Sequence, residues 1–158
     1  MKGDAMLLLH RSIAAACGLL ALTATTLAHE GATGVAKERM DLMGDMSQHM
    51  KEISKRLNAN RDLKAIAVDA DHITQVAPHI PDLFPKGSDN GITDAKPVIW
   101  EQWAEFLADV KKLSDESAAL ASVASSGDPK AISNQYRTLA KACIACHDTY
   151  RRGRADRL

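Results

Sequence analysis

Several features that mark particular protein classes are scarce or missing in this 158-residue sequence. Its 20 basic residues are balanced by 20 acidic ones, so charge gives no case for binding nucleic acid or a membrane surface. No apolar run of membrane-spanning length occurs after residue 28, so we expect no stable membrane insertion. Glycine and proline are confined to joints between segments, and no strand pattern is convincing. These absences favour a soluble, helical domain.

The N-terminus has the pattern of an export signal. Lys2 and Arg11 precede an apolar stretch from Ile13 to Leu22, and small residues continue to Ala28. We therefore predict a signal peptide over residues 1–28 and a mature domain over 29–158 in the periplasm. The mature chain would keep 18 basic and 19 acidic residues in 130, which is about the size of one compact domain.

The sequence has only three cysteines, and Cys17 lies inside the predicted signal. Cys17 could instead be a lipid-attachment cysteine, but Ala14 stands where such leaders usually carry leucine. Cleavage would leave Cys143 and Cys146, and a disulfide between them is the default expectation in an oxidising compartment. Their spacing indicates a different role.

Apolar residues recur at three- and four-residue steps over four segments, which predicts an all-α, antiparallel four-helix bundle. We place the helices at about 34–58, 60–77, 97–125 and 129–150, and Leu107 lies on the apolar stripe of the third. Asp128-Pro129 is the predicted N-cap and first-turn proline of the last helix, and Gly153 is its natural stop. The long connection over residues 78–96 suggests a crossover between helices 2 and 3 that lies on one end of the bundle. Leu83 and Phe84 should anchor it by packing.

Residues 143–147 read Cys-Ile-Ala-Cys-His, the C-x-x-C-H pattern of covalent haem attachment. On a helix, positions three and four apart share a face, so Cys143 and Cys146 can bond the two haem vinyl groups while His147 ligates the iron. A thioredoxin-like site would need a βαβ setting, and a zinc site would need further ligands nearby. A local disulfide would leave His147 unexplained. We predict one haem c.

A C-x-x-C-H motif near the C-terminus, followed by Asp-Thr-Tyr-Arg at 148–151, on a four-helix bundle resembles the class II cytochromes c, the cytochrome c′ superfamily. The resemblance extends over segments 37–43, 83–85 and 97–100. In that family the distal residue lies on the first helix, one turn after an arginine. The matching residues are Met43 and Arg39.

The resemblance implies that Met43 is the distal iron ligand and that Arg39 pairs with a haem propionate. Bonding by a thioether sulfur raises the reduction potential and suits electron transfer. Met40 is the alternative distal ligand. Arg39 could instead be a solvated residue at the edge of the apolar face of helix 1. We expect the other residues of note to be packing or surface residues: Met46, Met50, Trp100 and Trp103 in the core, and His49, His72 and His79 as isolated histidines without metal-ligand spacing.

The sequence favours a low-spin, His/Met-ligated carrier that exchanges single electrons with periplasmic redox partners. The first alternative is a five-coordinate haem protein that binds nitric oxide or carbon monoxide, and a less favoured one is a structural haem in an interaction protein. No catalytic triad or paired-carboxylate arrangement stands out, so we do not expect an enzyme. Whether the bundle forms a homodimer is left open.

Overall fold

The computed structural model describes residues 32–153, so the predicted signal peptide lies outside the described residues. Five α-helices follow one another in this range: α1 Gly34–Ala59, α2 Ile66–Val76, α3 Val98–Glu101, α4 Trp103–Ala124 and α5 Pro129–Tyr150. The four longer helices form the predicted four-helix bundle, and the described range contains no β-strand. None of these helices is long and apolar enough to cross a membrane.

The core lies between the helices that carry the apolar stripes. α2 packs against both α1 and α4, and α4 packs against α5. Burying large aliphatic and aromatic side chains supplies the main stabilisation of such a bundle. The most completely buried of them come from all five helices: Ile53, Ile66, Ile73, Ile99, Phe106, Leu120, Ile132 and Leu139.

The second helix begins later than its apolar stripe suggests. Asn60 and Asp62 both adopt left-handed backbone conformations, with φ of 47° and 52°, which asparagine and aspartate tolerate better than most residues. A 3-10 turn over Leu63–Ala65 then leads into α2. At the other end, a second 3-10 turn contains Pro78, which lacks the N–H that would continue the helix.

The predicted third helix is two helices, because the chain breaks at Gln102, where φ is −115° and ψ is 47°. Within α4, Val110, Ser117 and Leu120 are buried as the apolar stripe predicts, but one position of the stripe differs. Phe106 is 2% exposed and forms part of the core, whereas Leu107, expected on the buried stripe, is 39% exposed. The helical period therefore selects the wrong residue at this one position.

The crossover is packed, as predicted. The Phe84 ring is buried and meets the Phe106 ring edge-on, with 5.0 Å between centroids, while Leu83 is half-buried against the core. The Trp100 indole Nε1 donates to the carbonyl oxygen of Phe84 at 2.9 Å. Aromatic packing and this hydrogen bond hold the crossover against α3 and α4.

The end of the crossover is joined to the end of α5 by an isolated β-bridge between Ala95 and Arg151. The Lys96 N–H donates to the carbonyl of Tyr150 at 2.9 Å, and the Arg152 N–H donates to that of Asp94 at 2.7 Å. Arg151 has extended backbone angles, so α5 ends at Tyr150, before Gly153. The bridge thus fixes the chain just beyond the C-x-x-C-H motif.

Candidate haem-binding site

The last helix, α5, presents the motif. Asp128 caps its N-terminus, with a side-chain oxygen that accepts from the backbone N–H of Lys130 at 2.9 Å, and Pro129 occupies the first turn, as predicted. The helix then continues without interruption through residue 150. The motif therefore lies in regular helix, where the spacing argument applies.

Cys143, Cys146 and His147 occupy the border between core and solvent on α5. Both cysteines are free thiols and half-buried, while His147 is exposed. Leu139 and Tyr150 lie on the same side of the helix and are buried. This position suits a flat, largely apolar group that inserts one edge into the bundle.

The surroundings keep the three side chains in the forms that haem attachment uses. Burial raises the pKa of Cys143, and burial together with the Asp109 carboxylate and Cys143 raises the pKa of Cys146 to about 11. Partial burial lowers the pKa of His147, and the nearby Arg151 cation lowers it further against the opposing effect of Asp148. The unmodified thiols thus stay protonated, and the imidazole stays neutral and able to donate a nitrogen lone pair.

The helix that carries the motif, α5, packs mainly against α4 rather than against α1. α1 packs along α2, and α5 packs along α4, but the backbones of α1 and α5 scarcely meet within the described range. A haem held by two thiols and one imidazole of α5 would fit this seam, with α1 on its other side. The donor set and the packing therefore agree with a covalently bound haem c.

Arg39 is buried, 5% exposed, and its guanidinium is held by the crossover. Nε donates to the Leu83 carbonyl, Nη1 to Thr93 Oγ1 at 3.1 Å, and Nη2 to both the carbonyl and the hydroxyl of Ser88. These bonds occupy four of the five N–H groups of the side chain, which leaves one for another acceptor. Binding of a haem propionate by Arg39 remains a prediction. In the structure, Arg39 anchors the crossover to α1 through these hydrogen bonds.

Sequence reasoning did not find Ser88 and Thr93, the partners of Arg39. They lie 49 and 54 positions after Arg39, in a segment without helical periodicity. Ser and Thr are frequent in such loops for local reasons, so no pattern distinguishes these two. Only the fold shows that they belong to the same cluster as Arg39.

The methionines of α1 differ in depth. Met46 is buried in the core, and Met50 is half-buried against it, which confirms their predicted packing role. Met43, one turn after Arg39, is also half-buried against the core, and Met40 is half-buried. In this structure, Met43 thus contacts the core from α1, and its burial alone does not assign it a role toward the iron.

Trp100 and Trp103 pack against the core as expected, and His79 is an exposed residue beside Asp82. His49 and His72 differ from their prediction as isolated surface residues. Their rings stack, with 4.0 Å between centroids, because α1 and α2 lie side by side and bring the two positions together.

Comparisons with known proteins agree with the fold and the motif. The model of the family described as Cytochrome C′ matches residues 34–151. A cytochrome c′ from Pararhodospirillum photometricum is 35% identical over 118 residues, which cover 73% of this chain and 91% of that relative. The structure of cytochrome c prime from Shewanella frigidimarina is 26% identical, covers 75% of this chain and 94% of its own, and has a TM-score of 0.69.

A further solved structure is a ferrous variant of cytochrome c prime from Alcaligenes xylosoxidans with bound nitric oxide. It is 22% identical, covers 76% of this chain and 94% of its own, and has a TM-score of 0.68. At this identity the likeness supports the fold alone.

A four-helix bundle with two free cysteines and a histidine in C-x-x-C-H spacing on its last helix defines a class II c-type cytochrome. The family match extends over nearly all of the described residues and includes both the motif and α1. The chain belongs to the cytochrome c′ family, whose members carry a covalently bound c-type haem with iron. Members of this family are haem carriers and gas binders rather than conventional enzymes.

The family corrects the expected ligation and function. Cytochromes c′ are typically five-coordinate, so the prediction of a low-spin, His/Met-ligated electron carrier is wrong. The physical reason is that a methionine on the distal helix can either reach the iron or remain in the apolar packing. Residue type alone does not choose between these states.

Proposed function

We propose that this protein is a periplasmic, five-coordinate haem protein that binds a small neutral gas such as nitric oxide or carbon monoxide. The observation that carries the proposal is membership of the cytochrome c′ family over residues 34–151, which include the proximal motif and the distal helix. Ferrous haem supplies an iron with an open position at which a diatomic gas can bind. The chain supplies attachment, orientation and the apolar environment.

On the proximal side, Cys143 and Cys146 would hold the haem through thioether bonds, and His147 would donate a nitrogen to the iron. Arg151, one turn later, favours the neutral imidazole through its positive charge. Arg151 also ion-pairs with Asp94, with 3.3 Å between Nη2 and Oδ2. The crossover therefore helps to hold the residue that acts electrostatically on His147.

On the distal side, α1 would cover the haem with apolar side chains rather than with a bonded ligand. Met43 packs against the same cluster as Leu42 and Met50. An apolar pocket of this kind favours an uncharged diatomic molecule and disfavours water, which would lose hydrogen bonds on entry. Discrimination between gases would then depend on the size of the residue at position 43.

Location and assembly are part of the same proposal. Cytochrome c′ homologues are periplasmic, and the export signal over residues 1–28 predicts the same compartment for this chain. Dimers are known among cytochrome c′ homologues, so a homodimer is the assembly to test first.

Optical and electron paramagnetic resonance spectra of the purified protein test the proposal. We expect a high-spin ferric state and a ferrous state that binds carbon monoxide stoichiometrically. Met43→Leu preserves apolar volume and removes the sulfur, so its spin state should match that of the wild type. Met50→Leu, the same change about two helical turns further along α1, is the matched control.

A low-spin wild-type spectrum that becomes high-spin in Met43→Leu, but not in Met50→Leu, would show six-coordinate ligation and refute the proposal. A high-spin wild type that does not take up carbon monoxide would also refute it, since an open iron position without gas binding leaves no role for the distal pocket.

A further inference from the structure

Three metal-ligating side chains meet at the contact between α1 and α2, on residues that the haem site does not use. Asp45 and His49 are one turn apart on α1, and His72 comes from α2. Asp45 Oδ2 lies 2.5 Å from His72 Nε2, and Asp45 Oδ1 lies 3.9 Å from His49 Nε2. The possible ligand atoms of the three residues all lie within 4.8 Å of one another.

A fourth residue fixes the orientation of one imidazole. His49 Nδ1 lies 2.9 Å from Asp69 Oδ1, and a carboxylate can only accept, so Nδ1 carries the hydrogen of the neutral ring. Nε2 of His49 is then free of hydrogen, so its lone pair is available to a metal ion on the side where Asp45 Oδ1 lies 3.9 Å away. Metal-binding histidines are commonly held in this way by a carboxylate on the other ring nitrogen.

The supporting carboxylate is itself held in place. Asp69 is buried, 8% exposed, and its Oδ2 lies 3.5 Å from Arg56 Nε. The Arg56 cation balances the charge of Asp69, which leaves the Asp45 carboxylate as the negative charge directed at the histidine pair. Asp69 thus supports the His49 ring, and Asp45 is the carboxylate that would bind the ion.

We propose that Asp45, His49 and His72 bind a divalent transition-metal ion of the Zn²⁺ type. Two imidazole nitrogens and one carboxylate oxygen suit zinc and its neighbours better than Ca²⁺ or Mg²⁺, which prefer oxygen-only sets. With metal–ligand bonds of about 2.1 Å, tetrahedral ligand atoms stand about 3.4 Å apart. Side-chain rotations would therefore have to separate Asp45 Oδ2 from His72 Nε2, now 2.5 Å apart, and bring the more distant ligand atoms closer. For His72 Nε2 to bind the ion, the ring hydrogen that faces Asp45 Oδ2 moves to Nδ1 by exchange with water, so the imidazole stays neutral and no proton is released.

The three proposed ligands are partly exposed to solvent, and they would leave one coordination position of the ion for a further ligand. The side chains of Asp45, His49 and His72 are 45%, 25% and 37% exposed, so an ion can enter without local unfolding. Three protein ligands leave a fourth tetrahedral position for water. Because the ligands come from both helices, a bound ion would join α1 to α2 and stabilise the folded state.

Isothermal titration of the haem-loaded mature protein with zinc chloride, in a buffer that does not chelate zinc, tests the site. We expect one ion per chain for the wild type and an affinity at least tenfold lower for His72→Ala. His79→Ala is the matched control, because it removes an exposed histidine that also lies beside an aspartate. Its affinity should equal that of the wild type.

Thermal unfolding followed by circular dichroism gives an independent readout. Zinc should raise the melting temperature of the wild type and of His79→Ala in a concentration-dependent way, and should leave His72→Ala unchanged. His72 is partly exposed, so this variant should fold, and its haem spectrum verifies that it does. The proposal fails if the wild type does not bind zinc at millimolar concentration, or if His72→Ala binds it as tightly as the wild type.

Discussion

The guanidinium carbon of Arg39 lies 4.4 Å from the centroid of the Phe84 ring, so a residue of α1 stacks on an anchor of the crossover. The same guanidinium donates hydrogen bonds to Leu83, Ser88 and Thr93. Thr93 also accepts, through its carbonyl, a hydrogen bond from Arg152 just after α5, at 3.1 Å. Arg39 and Phe84 thereby connect α1 to the end of α5 through the crossover. These two helices are the ones on either side of the proposed haem position.

Replacing Arg39 with lysine should destabilise the fold by about 2 kcal/mol, because an ammonium group can neither stack on Phe84 nor reach three separate acceptors. Urea unfolding of the haem-loaded protein measures the change. Arg137→Lys is the control, since Arg137 is exposed and its hydrogen bond is to nearby Asn134. A loss no larger than that of the control would show that the Arg39 contacts contribute nothing to stability.

Truncating Phe84 to alanine should cost about 3–4 kcal/mol, the usual effect of deleting a buried aromatic side chain. The ring contacts Trp100 and Phe106 as well as Arg39, so the surrounding residues cannot easily fill the space. Phe84→Leu, which keeps most of the apolar volume, should cost less. A change in unfolding free energy below about 0.5 kcal/mol for the alanine variant would indicate a crossover that is not anchored there.

Changing both Cys143 and Cys146 to alanine should yield protein that loses haem on acid denaturation, because only thioether bonds survive loss of the fold. The wild type should retain it, with the added mass visible by intact-protein mass spectrometry. A wild-type chain that begins at His29 would confirm the predicted cleavage site. Retention of haem by the double variant would contradict the assigned attachment.

Asp128→Ala should destabilise the protein by about 1 kcal/mol through loss of the N-cap of α5. The Asp128 carboxylate accepts from the backbone N–H groups of Lys130 and Ala131, at 2.9 and 3.4 Å. Asp115→Ala is the control, because its ion pair with Lys111 is exposed and such pairs contribute about 0.5 kcal/mol or less. Equal losses in thermal or urea unfolding would mean that the cap does not stabilise the helix.

The sequence predicted most of what depends on neighbouring residues. Helix periodicity gave the four-helix bundle, Asp128-Pro129 gave the start of α5, and the spacing of residues 143–147 gave the haem attachment. Each of these signals acts over three or four residues, the distance over which a helix places side chains on one face. Such patterns can be read before the chain is folded.

The features that the sequence did not predict depend on distant parts of the chain. Phe106 takes the place in the core that was expected for Leu107, and its ring packs against Phe84 of the crossover and Tyr150 of α5. The state of Met43 belongs to the same group, because its sulfur could bind iron or pack, and the family comparison favours packing.

The composition and local spacing of this chain therefore determined that it is a helical c-type cytochrome, and they predict which three residues hold the haem. Only the tertiary structure decided that Arg39 anchors the crossover and that His49 and His72 meet beside Asp45. These contacts join residues of separate elements. Their distances are set by how whole helices pack, which no local repeat in the sequence encodes.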